Sequence, residues 1–367
     1  MAAKSAPGDP AWAFYYANSL RASNPEQWRE LSLDVARRFP SSERGAQALY
    51  WLGYESEDPE ARVRYLEQLR DSLPPAKFNG AENGMETLFD LYSRRDAGKA
   101  LGLAEEMAKL FPTGPDAKTW QSFAAYARDM VQAGRLLKDE KAADALALLE
   151  KTASPRFLDL TPLHLAKAGA AGAFGDTQKA YDGLLRVMGG TPTDAVRDAL
   201  LDYGARVGRD RDQVTADVRR LLESKATPAN EFSLPRYGDE KKLSLADYRG
   251  KIVLLNFWYA FCGPCRGEFP YLQKILDKFA VQGFVVLSVN VHPEEEQFVL
   301  PYFRGNRFGF IPVRGDSELA SRDWNARGFP SNFLIDQQGQ AIYKPGVIRS
   351  VDHQAEMELQ IRSLLAR

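Results

Sequence analysis

The sequence predicts two domains of different class. An all-α, helical-repeat-like domain takes residues 1–225, and an α/β domain with a mixed sheet flanked by helices takes 226–367. Three observations predict this. A chain of 367 residues is too long for one ordinary domain. Residues 11 to about 225 place apolar side chains at helical spacing. Beyond them come short β-rich runs bounded by turn residues.

In the first part, "EQWRELSLDVARRFP" reads as an amphipathic helix that stops at Pro40. Similar phrases recur: "ARVRYLEQLRDSLPP", "KALGLAEEMAKLFPTG", "AADALALLEKTASP" and "KAYDGLLRVMGGTP". An Ala precedes a Pro in each, as Ala61 to Pro74, Ala100 to Pro112, Ala143 to Pro155 and Ala180 to Pro192. A small residue lets two helices approach closely, and a proline ends the second helix of a pair. The pieces Leu52, Gly53, Ala61, Tyr65 and Pro74 resemble tetratricopeptide-type repeats, although the units recur at wider intervals than the 34 residues of that repeat. Such arrays offer concave surface, which makes a protein or peptide the expected partner of this region.

The grammar changes at "ESKATPANEFSLPRYG", whose prolines set the boundary near Lys225. "KIVLLNFW" (251–258) and "GFVVLSVNV" (283–291) are apolar runs that suit strands buried on both faces. "SNFLID" (331–336) and "QAIYK" (340–344) are joined by "DQQG", a hairpin signal. Helical patterns fall at 265–281, 294–304, 317–326 and over the C-terminal "VDHQAEMELQIRSLLAR". Strands alternating with helices, ended by a hairpin, give a mixed sheet in an α/β sandwich.

Composition narrows the function classes. A net charge of −1 gives no reason to expect nucleic acid or an anionic membrane as partner. No run approaches the length of apolar chain that spans a bilayer. The start, "MAAKSAPGDPAWAF", lacks the basic-then-apolar pattern of a signal peptide. It fits a cytoplasmic start, and equally what signal cleavage leaves behind. Sparse cysteine suits an oxidising compartment, where stray thiols mispair.

The only two cysteines, Cys262 and Cys265, stand in "FWYAFCGPCRGEFP". Cys262 follows a buried-strand pattern and opens a helical one. It therefore sits at a helix N-terminus, where unpaired N–H groups and the dipole favour a thiolate. Gly263 and Pro264 bend the chain so that Cys265 returns beneath it, with Pro264 tolerated in the first turn. A zinc site needs further ligands, and His292 and His353 are isolated. A purely structural disulfide closing so short a loop removes little unfolded-state entropy. Redox exchange is the chemistry that this pair suits.

"NFWYAFCGPC" resembles the active site of thioredoxin-fold oxidoreductases. The wider segment, from "FSLPRYGDEKKLSLADYRGK" through "CGPCRGEFPYLQKI", resembles the extracytoplasmic thiol–disulfide oxidoreductases of cytochrome maturation and related reductive pathways. The resemblance covers residues 229–367 and implies roles. Cys262 would be the attacking thiolate and Cys265 the resolving thiol. Glu268, one turn past Cys265, would be the buried glutamate that tunes the cysteines and relays a proton. Pro270 would kink the helix. Pro330, in "RGFPSNFLID", would be the cis-proline beside the cysteine pair, and Trp258, Phe261 and Phe329 would line the substrate groove.

Several positions depart from the wider thioredoxin pattern. Phe261 replaces a tryptophan, and Phe329 replaces a small or β-branched residue. Asn256 stands where ordinary thioredoxins bury an aspartate; an amide cannot titrate, so Glu268 inherits the relay. The Gly-Pro between the cysteines matches reducing members, near about −270 mV. The resemblance thus implies a periplasmic or otherwise extracytoplasmic enzyme that reduces protein disulfides. It would be re-reduced by an upstream thiol reductant and would need no organic cofactor or metal. Two alternatives stand beside it. One is an adaptor with a redox-sensing domain. The other is a peroxiredoxin-like peroxidase, which would need a threonine at the place of Tyr259.

Overall fold

The computed structural model describes residues 8–21, 24–156 and 158–365; the first seven residues, part of the start read above, lie outside it. Among the described residues, twelve helices precede the first strand. The chain divides into two compact units, Met1–Gly183 and Leu184–Arg367.

Local chemistry accounts for the helices of the first unit. In Pro25–Arg38, the Asn24 side chain accepts from the Gln27 N–H, a proline opens the first turn, and Arg37 and Arg38 close the last. Trp28, Val35 and Ala36 form its buried face. Successive helices pack on each other, and alternate ones also touch: Pro10–Ser19 meets Glu43–Glu55, which meets Asn79–Ser93. That is the contact pattern of stacked helical hairpins.

Small residues permit the close approach. A Cβ on Gly53 would lie 2.5 Å from Leu66 Cγ, and one on Gly84 would lie 2.3 Å from Leu69 Cδ2. Of the four repeat alanines, Ala61, Ala100 and Ala180 are buried, as the repeat reading expects. Ala143 is exposed, and Ala145 takes the inward place two positions on. In that unit the helix starts at Ala142, so Ala143 lies in its solvent-facing first turn.

Helix Asn79–Ser93 has no side-chain cap from its own N-cap residue, Phe78. The Glu43 carboxylate supplies one from another helix, accepting from Asn79 N at 3.0 Å and Gly80 N at 2.9 Å. The approach leaves no room at Gly80, where a Cβ would come within 2.8 Å of the Gln47 backbone nitrogen. Gly80→Ala is therefore expected to destabilise the protein. The helix-propensity gain of at most about 1 kcal/mol is smaller than the roughly 1–3 kcal/mol cost of overpacking against backbone. A thermal-unfolding midpoint at or above that of the unsubstituted protein would refute this.

In the second unit the change from helix to strand falls where the sequence places it. Helix Arg211–Lys225 ends at Lys225, and Ala226 is extended. The compact unit nevertheless begins earlier, because the helical segment before it is tied to the α/β part. Leu222 lies in the core that holds Trp258 and Phe269. Lys225 Nζ donates to the Gly189 carbonyl at 2.8 Å, and Gln360 Nε2 donates to the Gly190 carbonyl at 3.1 Å.

Among the described residues the strands are β1 (Thr227–Pro228), β2 (Ser233–Pro235), β3 (Lys242–Ser244), β4 (Ile252–Trp258), β5 (Phe284–Asn290), β6 (Ile311–Arg314), β7 (Ser331–Ile335) and β8 (Gln340–Tyr343). β2 and β3 form a separate antiparallel pair, and the other six form one sheet in the order β1-β8-β7-β4-β5-β6. β4, β5 and β6 are parallel, whereas β7 and β8 add the antiparallel edge. The sheet is thus mixed, as the hairpin signal requires. At that hairpin the Asp336 side chain accepts from Gln338 N and Gln340 N, and Gly339 takes φ +76°.

Every residue of β4 is buried. Its alternate side chains enter two cores: Ile252, Leu254 and Trp258 face the helices Gly263–Phe279 and Val351–Leu365, whereas Val253, Leu255 and Phe257 face the layer containing Trp324. Short β6 escaped the sequence reading. "IPVR" carries only one fully buried side chain, and its Arg314 is held by Glu240 and Glu296 over the ring of Tyr237.

Candidate active site

Strand β4 delivers the chain to the sulfurs. After Trp258 it turns, the Cys262 N–H donates to the Tyr259 carbonyl at 3.1 Å, and helix Gly263–Phe279 begins. Cys262 is the N-cap: its sulfur accepts from the Cys265 N–H at 3.1 Å. Pro264 lies in the first turn, where a missing N–H costs nothing. Cys262 and Cys265 are joined as a disulfide, and the two residues are 2% and 0% exposed.

Glu268 lies one turn further along the same helix and is wholly buried. Its Oε1 accepts from Asn256 Nδ2 at 2.8 Å. Its Oε2 accepts from Asn332 Nδ2 at 3.1 Å and from the Ile348 N–H at 3.2 Å. Burial pushes its pKa up to about 8, against the pull of these three donors, which favour the ionised form. A carboxyl held in this way exchanges its proton near neutral pH.

Pro330 follows a cis peptide bond from Phe329. Ser331 pairs with Phe257, so Pro330 stands at the end of the sheet where β4 leaves for Cys262. Pro270 lies within the active-site helix.

The aromatic residues fall into different environments. Trp258 is completely buried among Phe269, Tyr302 and Phe303 and presents no surface to solvent. Phe261 is 61% exposed, edge-on to Phe298, itself 43% exposed. Phe329 is half-buried, with its ring edge-on to Tyr259, which stacks on His292 at 4.3 Å. The Phe261 N–H donates to the Glu295 carboxylate at 3.1 Å, which fixes the loop before Cys262.

The structure therefore brings Cys262, Cys265 and Glu268 together on one helix and sets Phe261 at the rim. Asn332, Ser288 and Phe298 join them, and the sequence reading names none of these three. Asn332 and Ser288 sit inside apolar strand patterns, far along the chain from Glu268. The only signal they gave was a polar residue interrupting a buried run.

The AhpC/TSA family pattern matches residues 226–344, which hold the cysteine pair, Glu268 and Pro330. This region has a thioredoxin-like architecture, a mixed sheet with flanking helices. It is similar to the thioredoxin-like protein YneN of Bacillus subtilis, 32% identical over 111 residues, a stretch that covers 30% of this chain and 65% of that protein. It is also similar to the thiol-disulfide oxidoreductase ResA of Geobacillus kaustophilus, 38% identical over 106 residues, covering 28% of this chain and 58% of that protein. The chain thus spans less than two thirds of either relative. Among solved structures, a thiol:disulfide interchange protein from Chlorobium tepidum aligns with a TM-score of 0.32 and 28% identity, over 36% of this chain and 97% of that one. The family pattern leaves the helices of the first unit outside its match.

Proposed function

We propose that the protein is a thiol–disulfide oxidoreductase that reduces disulfides in other proteins. The observation that carries this reading is the Cys262–Cys265 pair at the N-terminus of helix Gly263–Phe279, with a buried carboxyl of raised pKa one turn below. In the dithiol form, the Cys262 thiolate attacks one sulfur of a substrate disulfide. The bond between the substrate sulfurs breaks, a mixed disulfide forms, and the other substrate sulfur leaves as a thiolate that takes up a proton. Cys265 then gives up its proton, with Glu268 as relay, and attacks the Cys262 sulfur. The second substrate thiol is released, and the protein is left in the disulfide form seen here. Two electrons pass to the substrate, and an upstream thiol reductant returns them.

The exposed Phe261 and Phe298 would receive apolar side chains of the substrate beside the sulfurs. The helical hairpins of the first unit would recruit the partner. An extracytoplasmic location suits a chain whose only two cysteines form one redox pair, and no described helix is long and apolar enough to cross a membrane.

The direction of exchange is tested by equilibrating the full chain in redox buffers. The Gly-Pro between the cysteines leads to an expected potential near about −270 mV, and a value above roughly −180 mV would make the protein an oxidant or isomerase instead.

A further inference from the structure

On the face of the sheet beneath the active-site helix, one polar row crosses three adjacent strands. Asn256 of β4 pairs in register with Ser288 of β5 on one side and Asn332 of β7 on the other. All three residues are buried. Ser288 Oγ donates to Asn256 Oδ1 at 3.0 Å. Asn256 Nδ2 donates to Asn332 Oδ1 at 2.9 Å and to Glu268 Oε1 at 2.8 Å. Asn332 Nδ2 donates to Glu268 Oε2 at 3.1 Å and to the Gly346 carbonyl at 3.4 Å. The links that join Ser288 to the carboxylate therefore all point the same way.

Each amide in the row is committed. Asn256 accepts from Ser288, so its nitrogen must face Glu268 and Asn332. Asn332 accepts from Asn256, so its nitrogen must face Glu268 and Gly346. Neither amide can turn over without setting acceptor against acceptor, which is costly where no water can intervene. The carboxylate thus meets donors only: Asn256 from β4, Asn332 from β7, and the Ile348 N–H from the segment before helix Val351–Leu365. These groups are neutral, and Cys262 and Cys265, earlier on the same helix, do not titrate while they are joined as a disulfide.

We infer that Asn332 is a positioning residue which, with Asn256 and Ser288 behind it, holds the Glu268 carboxyl in one orientation and presents it with donors alone. This rests on the oxidoreductase reading, in which Glu268 relays the proton. A chain of aligned donors polarises its members and strengthens the last bond, so the row favours the ionised relay in a site where burial alone would keep it protonated. Asn332 is two residues past Pro330, so the strand that carries the proline also carries the group that holds the relay.

The test follows the protonated carboxyl band by difference infrared spectroscopy in the full-length oxidised protein between pH 6 and 10. Glu268→Gln identifies the band by removing it. The unsubstituted protein should titrate near pH 8. Asn332→Leu removes one charged-group hydrogen bond and should move the midpoint up by about one to two pH units. Ser288→Ala, which cuts only the far link, should move it less and in the same direction. Asn332→Ser, a gentler change, decides the matter if the leucine variant does not fold. A midpoint unchanged in a folded Asn332 variant overturns the inference, whatever happens to stability. Absence of disulfide reduction by the unsubstituted protein would instead overturn the oxidoreductase reading and leave the infrared result intact.

Discussion

Cys265→Ser should turn the protein into a covalent trap. Cys262 would still attack, because its place at the helix N-cap does not depend on the second sulfur. The mixed disulfide would then persist, since serine cannot resolve it. Multiple-turnover reduction should fall on the order of a thousandfold or more, because a serine hydroxyl is no substitute for a thiol nucleophile. Cys262→Ser should lose the first step as well and capture nothing. Non-reducing gels of extracts from the native host, with and without added dithiothreitol, would read both outcomes. If Cys265→Ser yields no reducible adduct while Cys262 alkylates normally, the order of attack proposed here is wrong. The trapped species would also show whether partners need the first unit.

Glu268→Gln should alter the pH dependence of stability more than any other single change. In the unfolded chain a glutamate loses its proton near the ordinary value of 4.5, whereas in the native state burial holds it up to about 8. Between those values the native state carries a proton that the unfolded state has released, so raising the pH favours unfolding. The native state is most favoured by this group below pH 4.5, loses ground through the window, and levels off above about 8. At about 1.4 kcal/mol per pH unit, the loss amounts to roughly 3 kcal/mol by pH 7. Glutamine cannot titrate, so the variant should lack this slope. It should be less stable at pH 5, where its amide meets the Asn256 donor, and should close on the unsubstituted protein by pH 8. Urea unfolding at both values decides it, and parallel pH profiles for the two proteins would show that Glu268 is not buried as described.

Most of the second domain could be read from the chain because its signals are local. The runs 251–258 and 283–291 became β4 and β5 within a residue or so at each end, since continuous apolar sequence is what a two-sided strand requires. The cysteine pair, the helix after it and the hairpin at Asp336 were legible for the same reason. Glu268 was placed by its spacing from Cys265. What holds Glu268 was not legible: Asn332 lies 64 positions away, and only strand register brings it to the carboxylate. The compact-unit division after Gly183 was equally hidden, because a helix packed on a sheet has the same amphipathic pattern as one packed on other helices. Ala143 shows the limit of repeat phrases, where a shift of two positions turns an inward side chain outward.

The polar row also constrains assembly of the sheet. Side chains alternate between two apolar layers along β4, β5 and β7, and nothing in greasy alternation separates the correct alignment from one displaced by two positions, which keeps the same faces inward. Ser288, Asn256 and Asn332 remove that degeneracy. Displacing β7 by two positions would set Leu334 beside Asn256 and leave an amide stranded in hydrocarbon, at a cost of about 1–3 kcal/mol per abandoned group. The three residues act as a key that admits one alignment of neighbouring strands, so the same side chains that hold Glu268 also select the register.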